Sequence, residues 1–272
     1  MLGKLLKNEI KHSARYVMTI YGCAAAMILF MFFGMLTKIT WIGVVGSIIL
    51  YVVAFIEIIM TLVSVIKNFY DTLYGNQGYL SFTLPVKCST LLISKIIVSF
   101  IWIIFSFVLG GLCFLVIALN AKSAADGTLS GFFDVIRMSG VLEYLPSGAM
   151  IAKLVIIFVL MALMTILTFV GFVYFAVTLA NTRPLQGHPK LFGFLIFFVS
   201  YGVTNSIGAK LTYSLPLAVS VTTDSVKIVF KAMDGMDSLF SFGIGGTIFM
   251  ALVALGMLFA TGYIMEHKVN IK

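Results

Sequence analysis

Residues 68–95 read NFYDTLYGNQGYLSFTLPVKCSTLLISK, and the chain on either side of them is apolar. Residues 41–66 precede the stretch and 96–119 follow it, each long enough as a helix to cross a hydrocarbon layer about 30 Å thick. Between them the sequence mixes aromatics, turn formers, one acid, two lysines and Pro85. It reads as a polar connector between two membrane spans, so the fold is decided by what flanks it.

Outward from the connector, the same criterion of about 20 apolar residues per crossing gives six spans, near 16–36, 41–66, 96–119, 151–180, 191–209 and 244–264. Composition agrees. The 272 residues are 61% hydrophobic and 10% charged, with a mean hydropathy of +1.12. A soluble domain of that composition would expose very large apolar patches, and runs of this length lack the alternation of barrel strands. The expected class is an all-α integral membrane protein. MLGKLLKNEIKHSAR, at the amino terminus, is basic, and the apolar run Tyr16–Leu36 exceeds a signal-peptide core; it is expected to be a retained first span.

In residues 1–15, Leu2, Leu5, Leu6, Ile10 and Ser13 share one helical face, and Lys4, Lys7, Lys11 and Arg15 line the other. That is the pattern of an amphipathic interfacial helix. Residues 16–272 then form the six-span domain. The outer loops 120–150 and 210–243 carry apolar residues at roughly helical spacing and are each expected to hold a short helix on the outer membrane face. Pro146 and Pro216 mark bends.

With both termini cytoplasmic, the inner side collects eleven lysines and arginines against three acids, Glu9, Asp71 and Glu266. The outer side collects seven against six, leaving Glu57 within the membrane. Nearly all of the formal charge of +8 then faces one compartment, which is the positive-inside pattern. It places residues 68–95 in the cytoplasm. The same distribution argues against nucleic acid as a partner, because the positive charge follows the membrane rim.

Motifs of chemistry are missing. In GVTNSIGAKLT, residues 202–212, Ala209 separates the glycine from the lysine and Leu211 stands where a phosphate loop needs a hydroxyl. No HExxH, GxSxG or CxxC pattern occurs. His12, His188 and His267 fall in polar flanks and read as solvated rim histidines, so no metal is expected. Cys23, Cys88 and Cys113 have neither metal nor disulfide spacing and are expected to be free thiols. The chain is therefore not expected to be an enzyme or to bind a cofactor itself.

Glu57, in YVVAFIEIIMTLV, is the one acid deep in an apolar run. An embedded carboxylate pairs, protonates or faces a polar cavity, so the site is either a relay or substrate contact, or a local pair with Tyr, Thr or Lys. Thr204, Asn205 and Ser206 form a second polar cluster, either glue between helices or cavity lining. Small-residue runs at 22–26, 43–46, 109–113 and 243–246 permit close helix approach. On the residues alone, a non-transporting membrane scaffold and a channel both remain open.

Within the connector, Gly75, Asn76 and Gly78 are expected to make a tight turn with left-handed backbone geometry. Pro85 then leads into the third span. LYGNQGYLSFTLPVKCSTLLISKII resembles the segment between the second and third spans in permease subunits of ABC-2 type exporters, whose pattern is roughly acid-Gly-Tyr-Leu-x-x-x-Leu-Pro followed by Leu-x-x-Ser-Lys. The match falls on Gly78, Tyr79, Leu80, Leu84, Pro85, Leu92, Ser94 and Lys95. The resemblance implies a coupling helix around residues 76–82, with Asn76, Gln77, Gly78, Tyr79, Leu80, Phe82 and Pro85 contacting a separate ATP-binding subunit. ATP and magnesium would be held by that partner. Gln77 stands where relatives carry an acid, so contact there would be a hydrogen bond. The resemblance further implies that residues 1–15 are the family's connecting helix, that a second permease subunit, identical or related, completes a dimer, and that the location is a bacterial cytoplasmic membrane. A substrate cavity would involve Glu57, Thr204 and Asn205. An apolar bundle with 25 Phe and 11 Tyr suits an amphipathic or lipid-like cargo, for instance an antimicrobial peptide.

Overall fold

The computed structural model describes residues 2–37, 40–75, 78, 88–126, 148–185, 187–214, 218–221, 226–229 and 240–267. Six long helices dominate them: α1 (Leu2–Thr37), α2 (Thr40–Leu73), α3 (Cys88–Asp126), α4 (Gly148–Ala180), α5 (Pro189–Ser214) and α6 (Gly245–His267). All six are long and apolar enough to cross a membrane. The first three have 36, 34 and 39 residues, or about 50–60 Å at 1.5 Å per residue, so each extends well beyond a hydrocarbon layer. The amphipathic residues 2–15 enter as the first turns of the continuous helix α1. No proline or glycine interrupts the chain between Lys4 and Tyr21, and nothing there breaks the helix.

The chain divides into two compact units, residues 1–69 with 93–143, and residues 70–92 with 144–272. In the first unit, α1, α2 and α3 pack through small and polar side chains. Along α2 the buried residues are Leu50, Ala54, Glu57, Thr61, Val65 and Phe69, while Ile49, Val52, Phe55, Ile56 and Ile59 are exposed. That period of 3–4 is one helical stripe. A bilayer reverses the usual logic, because lipid is as apolar as leucine and association depends on close packing and polar contacts. Met31, Leu50, Ala54, Cys113 and Val116 make the apolar core of this unit.

Direction follows from residue order. Contacts between α1 and α3 rise together, Glu9 with Lys95 and Ser13 with Trp102, so these helices are parallel. Contacts between α1 and α2 run oppositely, His12 with Asn68 and Gly34 with Ile42, so that pair is antiparallel. This is the alternation that successive membrane crossings require.

In the second unit α4, α5 and α6 pack on one another. The carboxyl-terminal half of α4 is enclosed, with Phe172, Tyr174, Thr178 and Ala180 all buried. Backbones meet at glycines. A Cβ on Gly171 of α4 would lie 2.9 Å from the Ala254 carbonyl oxygen of α6, and one on Gly246 would collide with Gly208 O and Thr212 Oγ1 of α5. Of the small-residue runs, Gly46, Gly110 and Gly246 lie at helix contacts, whereas Gly22 and Gly111 have nothing close.

The loop between α5 and α6 corrects one expectation. It holds a three-stranded antiparallel sheet, β1 (Ala218–Val221), β2 (Val226–Val229) and β3 (Phe240–Gly243), in the order β2–β1–β3. Val219 pairs with Ile228 on one side and Phe242 on the other. Valine, isoleucine and phenylalanine favour such a surface over a helix, so residues 218–221, 226–229 and 240–243 are strands in a loop where a short helix was expected. Most of the other loop, 127–147, lies outside the described residues.

Candidate functional site

The connector begins as α2 unwinds. Tyr74 N and Gly75 N both donate to Tyr70 O, at 2.8 and 3.0 Å, and Gly78 N donates to Gly75 O at 2.8 Å. Glycine is needed here for space. A Cβ on Gly75 would lie 2.7 Å from Asp71 O, and one on Gly78 would lie 2.5 Å from Leu73 O. Neither glycine has the left-handed backbone anticipated from sequence; the tight turn requires them because carbonyl oxygens fill the positions a side chain would take. Asn76, Gln77, Tyr79, Leu80, Phe82 and Pro85 lie outside the described residues.

Both ends of this segment are tied to spans of the second unit. Tyr74 OH donates to Thr178 Oγ1 at the end of α4, 3.0 Å away, and Ser89 Oγ donates to Glu266 Oε1 at the end of α6, 3.3 Å away. Burial pushes the Tyr74 phenol up, against the opposing effect of its hydrogen bond with Thr178, so it stays protonated through the physiological range. Leu91 and Leu92 are buried. Gly262 of α6 keeps room beside Leu92, whose Cδ2 would lie 3.8 Å from an added Cβ.

The flanks of the connector belong to the first unit, where they are held by α1. Lys95 Nζ donates to Glu9 Oε1 at 2.7 Å, with the two side chains 1% and 15% exposed. Trp102 Nε1 donates to Ser13 Oγ at 2.9 Å, and Ser13 Oγ in turn donates to Glu9 O at 2.7 Å. Tyr21 OH donates to Trp102 O at 2.8 Å, its ring standing edge-on to the indole. On α2, Asn68 Oδ1 lies 3.1 Å from His12 Nδ1, and Lys67 Nζ stands 5.3 Å from the Tyr16 ring centroid. Spacing explains the seam: Glu9 and Ser13 are one turn apart on α1, and Lys95 and Trp102 two turns apart on α3. Sequence reading placed Glu9 and Lys95 on the same side of the membrane by charge but had no signal for their pairing, which joins residues 86 positions apart.

Glu57 is buried in the first unit. Thr61 Oγ1 donates to Glu57 O at 2.9 Å and approaches Glu57 Oε1 at 3.4 Å. That is the local threonine partner the sequence allowed, one turn along the same helix. Thr204 and Asn205 belong to the second unit. Thr204 is buried and its hydroxyl donates to Ser200 O at 2.8 Å, Ser206 likewise bonds Gly202 O, and Asn205 is exposed. The two hydroxyls are thus committed to their own helix.

His12, His188 and His267 are exposed, and no group of three potential ligands gathers among the described residues. Cys23, Cys88 and Cys113 are free thiols, respectively exposed, half-buried and buried. Comparison with family models, curated proteins and solved structures finds no match.

Proposed function

We propose that this chain is the membrane subunit of an ATP-driven ABC-2 type exporter, with no ATPase site of its own. One observation carries the reading. The connector that resembles the family's coupling segment is covalently continuous with both units, its middle in one and its flanks in the other. Its described ends are also fastened by polar contacts, Tyr74 to Thr178, Ser89 to Glu266 and Lys95 to Glu9. A segment so attached delivers a displacement to three spans beyond the two it joins: α4 and α6 in one unit and α1 in the other. That is what a subunit driven by a soluble motor needs.

In this reading both termini and the connector face the cytoplasm of a bacterial cell, as the distribution of lysine and arginine favours. An ATP-binding subunit, holding ATP and magnesium, docks at residues 76–82. A second permease subunit completes the transporter, and an amphipathic or lipid-like molecule is moved. The test is gentle solubilisation of the tagged protein from its native membrane, followed by mass spectrometry of what co-purifies. A stoichiometric ATP-binding subunit, lost on Tyr79→Asp, is the expected result. Recovery without a nucleotide-binding partner across several detergents would overturn the proposal and favour a scaffold or channel.

A further inference from the structure

Glu57 is 2% exposed, on a helix long and apolar enough to cross a membrane, and among the described residues the groups that face it supply no cation. Tyr21 of α1 and Cys113 of α3 are the titratable side chains with which it interacts electrostatically, and neither is positive in any protonation state. On its own helix Thr61 reaches only Oε1, at 3.4 Å, with its stronger bond going to the backbone. Glu57 Oε2 has no hydrogen-bond partner among the described residues. Ser106 Oγ, 3% exposed, makes no well-formed hydrogen bond among the described residues, and its hydroxyl faces both the Glu57 carboxyl and the Tyr21 phenol from α3. One turn beyond Ser106, a Cβ on Gly110 would stand 3.9 Å from Oε2, so the bare glycine leaves the tip of the carboxyl open toward α3.

An ionised carboxylate in this setting is strongly disfavoured. A carboxylic acid is not. One proton on Oε2 provides an O–H donor, and Ser106 Oγ has lone pairs to receive it. That bond would satisfy two buried groups at once. We propose that Glu57 is a proton-binding site that takes up one proton from water on Oε2, donates it in a hydrogen bond to Ser106 Oγ, and returns it to water when that bond opens. Because donor and acceptor lie on different helices, movement of α2 against α3 changes the proton affinity, and protonation in turn favours the closed arrangement. The polar seam of Glu9, Lys95, Ser13, Trp102 and Tyr21 joins α3 to α1. The assignment does not depend on the chain being a permease.

The test uses dicyclohexylcarbodiimide on the purified full-length protein in lipid nanodiscs, because this apolar reagent adds to protonated carboxyls and leaves a stable N-acylurea in apolar surroundings. Peptide mass spectrometry would locate the adduct across about pH 5 to about pH 9. The expected result is an adduct on Glu57 whose rate follows a single titration, falling about tenfold per pH unit above its midpoint. Ser106→Ala moves that midpoint to lower pH if Ser106 accepts from the neutral acid; a move to higher pH would show that its hydroxyl instead donates to the ionised carboxylate, and would overturn the pairing. Three other results would overturn the proposal: no adduct on Glu57 at any pH, a rate that does not change with pH, or protection by sodium at constant ionic strength, which would make a metal cation the ligand. The wild-type titration decides the matter even if Ser106→Ala misfolds.

Discussion

Removing the ammonium of Lys95 should cost far more than removing the whole Glu9–Lys95 pair. The Lys95 side chain is 1% exposed and that of Glu9 15%, with 2.7 Å between Nζ and Oε1. Glu9 Oε2 already lacks a hydrogen-bond partner among the described residues. Lys95→Met would therefore leave a largely desolvated carboxylate without its counter-ion. Breaking one side of a buried pair costs about 3–5 kcal/mol, and the residual hydration of Glu9 puts this case near the lower end, about 3 kcal/mol. Glu9→Leu, which removes the counter-ion of the more deeply buried charge, should also destabilise. Together the two substitutions leave two apolar side chains of suitable length, and replacement of a whole buried pair is close to neutral; the double variant should lie within about 1 kcal/mol of the wild type. Unfolding by SDS in mixed micelles, followed by tryptophan fluorescence, measures all four proteins, and Trp102 reports from the same seam. A double-variant cost at least about 3 kcal/mol below the sum of the singles is expected. Additive costs, or a Lys95→Met cost under about 0.5 kcal/mol, would refute the reasoning.

Three further outcomes follow from the same structure. Gly78→Ala forces a methyl group to within 2.5 Å of Leu73 O and should destabilise by about 1–3 kcal/mol, whereas Gly111→Ala, with nothing within 4 Å, should be near neutral in the same unfolding assay. Because burial raises Tyr74, the folded state keeps a proton that the unfolded chain loses near pH 10, so stability falls as pH rises past about 10; Tyr74→Phe should flatten that fall, and an unchanged alkaline profile would count against it. Cys88, half-buried at the start of α3, should react with a membrane-impermeant maleimide only once the inner face is opened, and labelling of intact cells would reverse the orientation.

What sequence made legible was set by the range of each signal. Spans are local: a run such as LVIIFVLMALMTILTFVGFVYFAV announces a crossing by composition, and all six candidates coincide with long apolar helices. Helix ends were less legible, because α1 and α3 continue through Lys7, Lys11, Ser94 and Lys95 without a breaker and nothing local marks where lipid stops. The strands at 218–221, 226–229 and 240–243 carry no local signal, because AVSV, VKIV and FSFG are short and their identity lies in pairing across the sheet. Gly75 and Gly78 do make a tight turn, yet the reason is steric room beside carbonyl oxygens and not a left-handed backbone. Thr61, at i+4 from Glu57, was within reach of local reasoning. Ser106 and the Glu9–Lys95 and Ser13–Trp102 contacts were not, since each joins helices far apart in the chain.

The central claim is that residues 76–82 are docked on an ATP-binding subunit, and site-specific cross-linking in intact membranes tests it most directly. A photoreactive amino acid would replace Tyr79, with Phe33, exposed on α1, as the lipid-facing control. The account predicts an adduct from position 79, and none from position 33, to a protein carrying a nucleotide-binding motif. Adducts from position 79 to lipid or to this chain alone, in membranes where the protein is intact and abundant, would contradict it.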